Sequence, residues 1–130
     1  MARIAVACVS LLVASGCGTG SSERAVSETV GRFQRALAAD DGRAGCAELT
    51  AAARRTLELD EMKPCPAALL DLDLLGGGAA AEVQIAITSA RARVPGRGSL
   101  FLDQTPTGWR IGAAGCVPGR FDGPYDCELD

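Results

Sequence analysis

The stretch Ala81-Glu82-Val83-Gln84-Ile85-Ala86-Ile87-Thr88-Ser89-Ala90-Arg91-Ala92-Arg93-Val94 alternates apolar and polar residues with a period of two. That period marks a strand with one face buried. Val83, Ile85 and Ile87 share one face, and Glu82, Gln84 and Thr88 share the other. Past Ser89 the apolar set moves to Ala90, Ala92 and Val94, with Arg91 and Arg93 on the opposite parity. The change of phase predicts one long strand with a bulge or sharp bend near Thr88 and Ser89, a strand that would curve the sheet.

Downstream, Pro95-Gly96-Arg97-Gly98 reads as a turn and residues 99–104 return with Leu100 and Leu102 inward. Thr105-Pro106-Thr107-Gly108 turns again, and Trp109, Ile111 and Ala113 alternate along a further strand. Turns this short join antiparallel neighbours, so the C-terminal half is a meander. Upstream, Gly76-Gly77-Gly78 separates this half from a helical one. It lacks both the spaced glycines and the following Lys-Ser or Lys-Thr of a phosphate loop.

Val26, Val30, Phe33 and Leu37 recur at helical spacing and predict a helix over residues 23–39. Ser22 is its expected N-cap, Glu23 suits the positive end of the dipole, and Gly42 is the expected left-handed cap. Glu28, Gln34 and Arg35 form a polar face without basic bias, which favours core packing over a membrane-surface helix. Thr50 then caps residues 51–59, with Ala53 and Leu57 inward. Pro66 suits the first turn of a third short helix through Leu69, Leu70 and Leu74. The expected fold class is α+β, with N-terminal helices packed on a curved antiparallel meander sheet.

The front of the chain carries an address. Arg3 precedes the apolar run of residues 4–13, and Ala14-Ser15-Gly16 stands before Cys17, the order of a secretory signal. The run is far shorter than the roughly 20 residues a membrane-spanning helix needs. Small residues before a cysteine resemble the lipobox of bacterial lipoproteins, with Ala14 where leucine or valine is usual. That resemblance implies cleavage before Cys17 and its lipidation; ordinary signal cleavage after Gly16 is the alternative. The expected organisation is a signal peptide over residues 1–16, a lipidated cysteine and flexible tether over residues 17–22, and a single domain over residues 23–130. The location implied is the extracytoplasmic face of the cell membrane.

Without the signal the chain carries 12 basic and 16 acidic residues, a net charge of −4, and no dense basic run. Nucleic acid is thereby disfavoured as a partner. The chain has no histidine, which removes the commonest general base, the serine triad and the commonest metal ligand. Six cysteines stand at positions 8, 17, 46, 65, 116 and 127. Cys8 leaves with the signal and Cys17 is assigned to lipid, so four remain, and four permit three pairings. Locality favours Cys46 with Cys65 and Cys116 with Cys127, short loops for which the chain-entropy model gives about 3 kcal/mol each. No CxxC pair exists, so a zinc site is the weaker reading of the four.

Three groups of strings carry a further resemblance: Cys46-Ala47-Glu48-Leu49-Thr50 with Ala53-Arg54-Arg55, Gly108-Trp109-Arg110-Ile111, and Ala113-Ala114-Gly115-Cys116 with Pro124-Tyr125-Asp126-Cys127. Together with the order of helices before a curved meander, they resemble small actinobacterial envelope lipoproteins with a nuclear transport factor 2-like domain. That fold is shared with ketosteroid isomerase and polyketide cyclases. The resemblance implies a sheet wrapped around the long helix and a conical pocket, to which Phe33, Ile87 and Trp109 are the expected contributors.

An isomerase of that kind needs a buried carboxylate and a tyrosine or protonated acid as oxyanion donor. The only tyrosine is Tyr125, beside a cysteine in the tail. Asp71 and Asp73 read as a solvated edge rather than a carboxylate pair or calcium site, Arg91 with Arg93 as an exposed or rim-facing pair on the bent strand, and Trp109 as a core anchor. The expectation is therefore a non-catalytic lipoprotein with neither cofactor nor metal. Its partners are the membrane, through the lipid, and an unknown envelope protein or small apolar ligand. A hydrophobic-ligand carrier or a cyclase-like or isomerase-like enzyme is the alternative.

Overall fold

A computed structural model describes residues 19–130, so the signal, Cys8 and Cys17 lie outside the described residues. The chain is α+β. Helices α1 (Thr19–Ala38), α2 (Gly42–Ala47), α3 (Ala51–Glu61) and α4 (Cys65–Asp71) precede strands β1 (Glu82–Ala86), β2 (Ser89–Val94), β3 (Gly98–Thr105) and β4 (Gly108–Cys116). The strands form one open antiparallel sheet in the order β1-β2-β3-β4.

The long bent strand expected over residues 81–94 is instead a tight hairpin. Ala86 pairs with Ser89, leaving Ile87 and Thr88 as a two-residue turn. Cross-strand partners share a face, so Val83 opposite Ala92 and Ile85 opposite Ala90 all point the same way. The change of apolar phase was thus a reversal of direction. Ile87, expected among the inward residues, sits in the turn with φ +54° and is 92 % exposed.

The bulges lie elsewhere, on β4. Ser99 pairs with Cys116, Phe101 with Ala113 and Leu102 with Ile111, so β4 carries one extra residue in each interval. These shift its parity: Trp109 and Ile111 point inward, then Ala114 and Cys116, while Ala113, expected inward, is only half-buried. Gly115 takes φ +65°, the left-handed conformation one of these bulges needs.

The stripe of α1 is fully engaged, with Val26, Val30 and Phe33 inaccessible and Leu37 buried. It joins Ala90, Ala92, Val94, Leu100, Leu102, Trp109 and Ile111 in one core cluster. Three details differ from expectation. Helix α1 begins at Thr19, so Ser22 lies within it and residues 19–22 are not a tether. Asp40 takes the left-handed φ of +51° after α1, while Gly42 is the first residue of α2. Gln34 is buried rather than on the polar face: its Oε1 accepts from the Gly78 amide at 3.4 Å and its carbonyl from Gly77 at 3.0 Å.

The glycines of that triplet dock backbone on backbone, since a Cβ at Gly76 would run into the Ala38 amide. Thr50 caps α3 as expected, its Oγ1 accepting from the Ala53 amide at 3.1 Å. Helix α4 stops at Asp71, which leaves Leu74 in the connection and Leu70 40 % exposed.

Both expected disulfides are present. Cys46–Cys65 ties the end of α2 to the start of α4 across Cα atoms 6.2 Å apart, and Cys116–Cys127 ties the tail to β4. Helices α2 and α4 approach closely because Gly42 faces the Pro66 carbonyl and Gly45 faces Leu69.

Replacing Cys46 and Cys65 together by serine should lower the unfolding free energy by about 2–4 kcal/mol in a urea titration. Gly42→Ala should cost about 1–3 kcal/mol through forced separation of α2 from α4. Wild-type stability in that variant would show that the two helices do not meet as described.

Candidate functional site

With the helices on one face of the sheet, the other face is free for polar side chains. Arg91, Arg93, Gln84 and Glu82 stand there in cross-strand pairs, Gln84 opposite Arg91 and Glu82 opposite Arg93. Phe101 joins them because β3 alternates around the inward Leu100 and Leu102. An aromatic ring half-exposed on a polar face invites a cover, and the tail supplies one.

Cys127, bonded to Cys116, and the paired amides and carbonyls of Val117 and Asp126 fold the tail back along β4. Tyr125 is thereby placed edge-on to Phe101, ring centroids 5.0 Å apart and planes at 75°. Such pairs contribute about 0.5–1.5 kcal/mol beyond burial. Arg91 Nη1 donates to the Tyr125 hydroxyl at 2.7 Å, and Arg91 Nη2 donates to Gln84 Oε1 at 2.9 Å. A guanidinium has five N–H donors. Two of Arg91's are engaged in the hydrogen bonds to Tyr125 and Gln84.

Around this cluster runs a groove of about 510 Å³, lined by Gln84, Ser89, Arg91, Phe101, Asp103 and Tyr125, with Ile85 and Ala86 at the β1 side. Its size falls within the range of small-molecule sites. The arrangement can bind an anionic or planar group: donors for a carboxylate stand beside two aromatic rings.

Phe33, Ile87 and Trp109, the expected contributors to an interior pocket, are not brought together. Phe33 and Trp109 are core residues, Ile87 stands at the hairpin tip, and none of the three lines the groove. Phe101, Asp103 and Gln84 were missed. The signal was present in Ser99-Leu100-Phe101-Leu102-Asp103, where the aromatic has the parity of the polar residues. Tyr125 could be tied to Arg91 only through the tail's return.

A second polar cluster has a structural role. The strings Cys46-Ala47-Glu48-Leu49-Thr50 and Gly108-Trp109-Arg110-Ile111 meet as a parallel bridge: the Ile111 amide donates to the Glu48 carbonyl at 2.8 Å, and the Thr50 amide to the Ile111 carbonyl at 2.9 Å. Above the bridge, Arg32 grips the Glu48 carboxylate with Nε at 2.8 Å and Nη2 at 3.1 Å. The hydrogen bond from Glu48 raises the pKa of the Arg32 guanidinium above its ordinary value. Arg110 approaches the same carboxylate at 4.0 Å. Asp71 is paired with Lys63. No group of three or more metal-ligating side chains occurs among the described residues.

No protein family, curated protein or solved structure matches this chain.

A double-mutant cycle of Arg91→Met and Tyr125→Phe, read by urea unfolding, should give a coupling of about 1 kcal/mol. Additive single effects would mean that the tail does not close over β2 and β3 in solution.

Proposed function

We propose that the chain is an exported lipoprotein held on the outer face of the cell membrane through Cys17, whose domain is a non-catalytic binding module. The binding role rests on the groove at Arg91 and Tyr125. It opens on the sheet face that the helices leave bare, and it combines the Arg91 guanidinium with aromatic rings. That chemistry suits a carboxylate or planar group on an envelope protein or a small ligand.

Export is supported by the signal-like order of residues 1–17 and by two disulfides, bonds that a reducing cytosol disfavours. The sequence of helices before an antiparallel meander supports a reading as a reduced nuclear transport factor 2-like domain. In that reading Phe33, Leu102, Trp109 and Ile111 fill the place of the conical pocket. A filled interior favours binding on the outer face over carriage of an apolar ligand inside. Asp103 shares the groove with Tyr125 but is exposed to water. A proton-abstracting pair of the isomerase kind works in an apolar site instead, which favours recognition over catalysis.

Two measurements test this reading. A photo-cross-linking residue at the groove-lining Ser89 should give adducts on intact cells that disappear with Arg91→Ala; no adduct above background would overturn the binding role. Mass spectrometry should find residues 1–16 removed and Cys17 acylated. Full-length protein in the cytoplasm with free thiols would overturn export.

A further inference from the structure

The two edges of the sheet are not alike. The outer edge of β4 is covered by the chain itself, through Glu48 and Thr50 at Ile111 and through the tail at Ala114 and Val117. The other edge is β1. The Arg93 carbonyl accepts from the Ala81 amide at 2.9 Å, so Arg93 turns its backbone toward β1. Successive residues of a strand turn theirs to opposite sides, so Arg91 and Ser89 do the same, and their partners Glu82, Gln84 and Ala86 turn toward β2. Val83 and Ile85 are left with amide and carbonyl pointing away from the sheet. Neither residue's backbone meets a partner on that side among the described residues.

A row of this kind is a template for one more strand. Strand β1 has little to prevent it: it holds no proline or lysine, and its one charge, Glu82, is paired with Arg93 at 3.3 Å.

The same edge borders the groove, whose β1 side is formed by Gln84, Ile85 and Ala86. Within the groove Arg91 has neutral partners, the Tyr125 hydroxyl and the Gln84 amide oxygen. It forms no ion pair among the described residues, whereas Arg32, Lys63, Arg93 and Arg110 each meet a carboxylate. A half-buried cation without an anion lies beside an edge without a strand.

We propose that this site takes an extended segment of a partner protein, which adds a strand to β1 and sets an acidic side chain toward Arg91. The inference rests on the binding role of the groove proposed above and names the shape and charge of what binds. Residues opposite each other across paired strands share a face, so the segment residue opposite Gln84 stands on the groove side. It lies two strand spacings, about 10 Å, from Arg91. An arginine and an aspartate or glutamate side chain close such a gap from both ends. Asp103, on β3, is three spacings or about 14 Å from the added strand, beyond the screening length at physiological salt. The alternate side chains of the segment fall beside Val83 and Ile85, which are half-buried against the core, and apolar residues suit that side. Main-chain pairing supplies affinity and the carboxylate supplies preference.

The test uses the full chain with both disulfides formed and a seven-residue peptide of alternating valine and threonine, its central threonine replaced by glutamate. Nuclear magnetic resonance follows the amides of Val83 and Ile85. The inference expects both to become protected from hydrogen exchange as peptide is added, and a peptide with central lysine to bind about fivefold more weakly. Arg91→Ala should erase that preference. Ile85→Pro removes an amide that β2 does not use, at an edge position where proline is tolerated. It should therefore keep the Trp109 emission of the folded core and lose the peptide. Binding that survives Ile85→Pro and falls with Arg91→Ala would overturn strand addition and leave the groove as a binding site. If Ile85→Pro unfolds, exchange in the wild-type chain decides. Amides that stay unprotected at millimolar peptide overturn the inference, and so do amides already protected in the free chain, the edge then being taken by a second copy where protection grows with chain concentration. Unprotected amides together with a cross-link at Ser89 on cells would remove strand addition alone; absence of the cross-link as well would remove the binding role with it.

Discussion

Backbone hydrogen bonds along the outer edge of β4 join the three parts of the molecule. An unpaired edge presents a row of donors and acceptors that need partners. Here they come from two directions: the Glu48 and Thr50 backbone pairs with Ile111, and the tail pairs at Ala114 with Leu129 and at Val117 with Asp126. The first contact fixes where α3 begins, because Thr50 both joins β4 and caps the helix. It also sets Glu48 between Arg32 of α1 and Arg110 of β4. The second contact fixes the tail.

The two extra residues in β4 make that seam possible. They let Trp109 and Ile111, then Ala114 and Cys116, all face inward, although no uniform alternation would place the four together. Cys116 is buried at the end of the strand and holds Cys127. Two residues before Cys127, Tyr125 returns over Phe101 and meets Arg91. The groove is therefore a consequence of tail closure, and its geometry depends on a disulfide that takes no direct part in it.

Close approach is the second recurring device. Aromatic residues make up only 4 % of the chain, so few side chains are large enough to span wide gaps. Gly42 and Gly45 bring α2 onto α4, Gly76 and Gly78 bring the connection onto α1 and Val94, and Ala90 and Ala92 line the centre of the sheet. Dense packing of small residues gains dispersion contacts while burying little area per residue. A disulfide across α2 and α4 reinforces a junction of that kind, where burial alone contributes least.

The α1 stripe, the Thr50 cap, both disulfide pairings and the helix-before-meander order were legible in the sequence, because each depends on residues close in the chain. Gly42 as a cap, Ser22 at the helix start and Gln34 on a polar face were misplaced. Two of these depended on which neighbour came near: Pro66 for Gly42, the Gly77 and Gly78 backbone for Gln34. The hairpin at Ile87 and Thr88 escaped notice because neither residue is usual in a tight turn, so the phase change read as a bend. The groove lay further from local reach, since Arg91, Phe101 and Tyr125 come from two strands and the tail. By itself the sequence determined the periodicities, the caps and the supply of sulfur. Only the tertiary structure decided which face stayed open and what met there, because pairing register and tail closure are set by contacts between residues far apart in the chain.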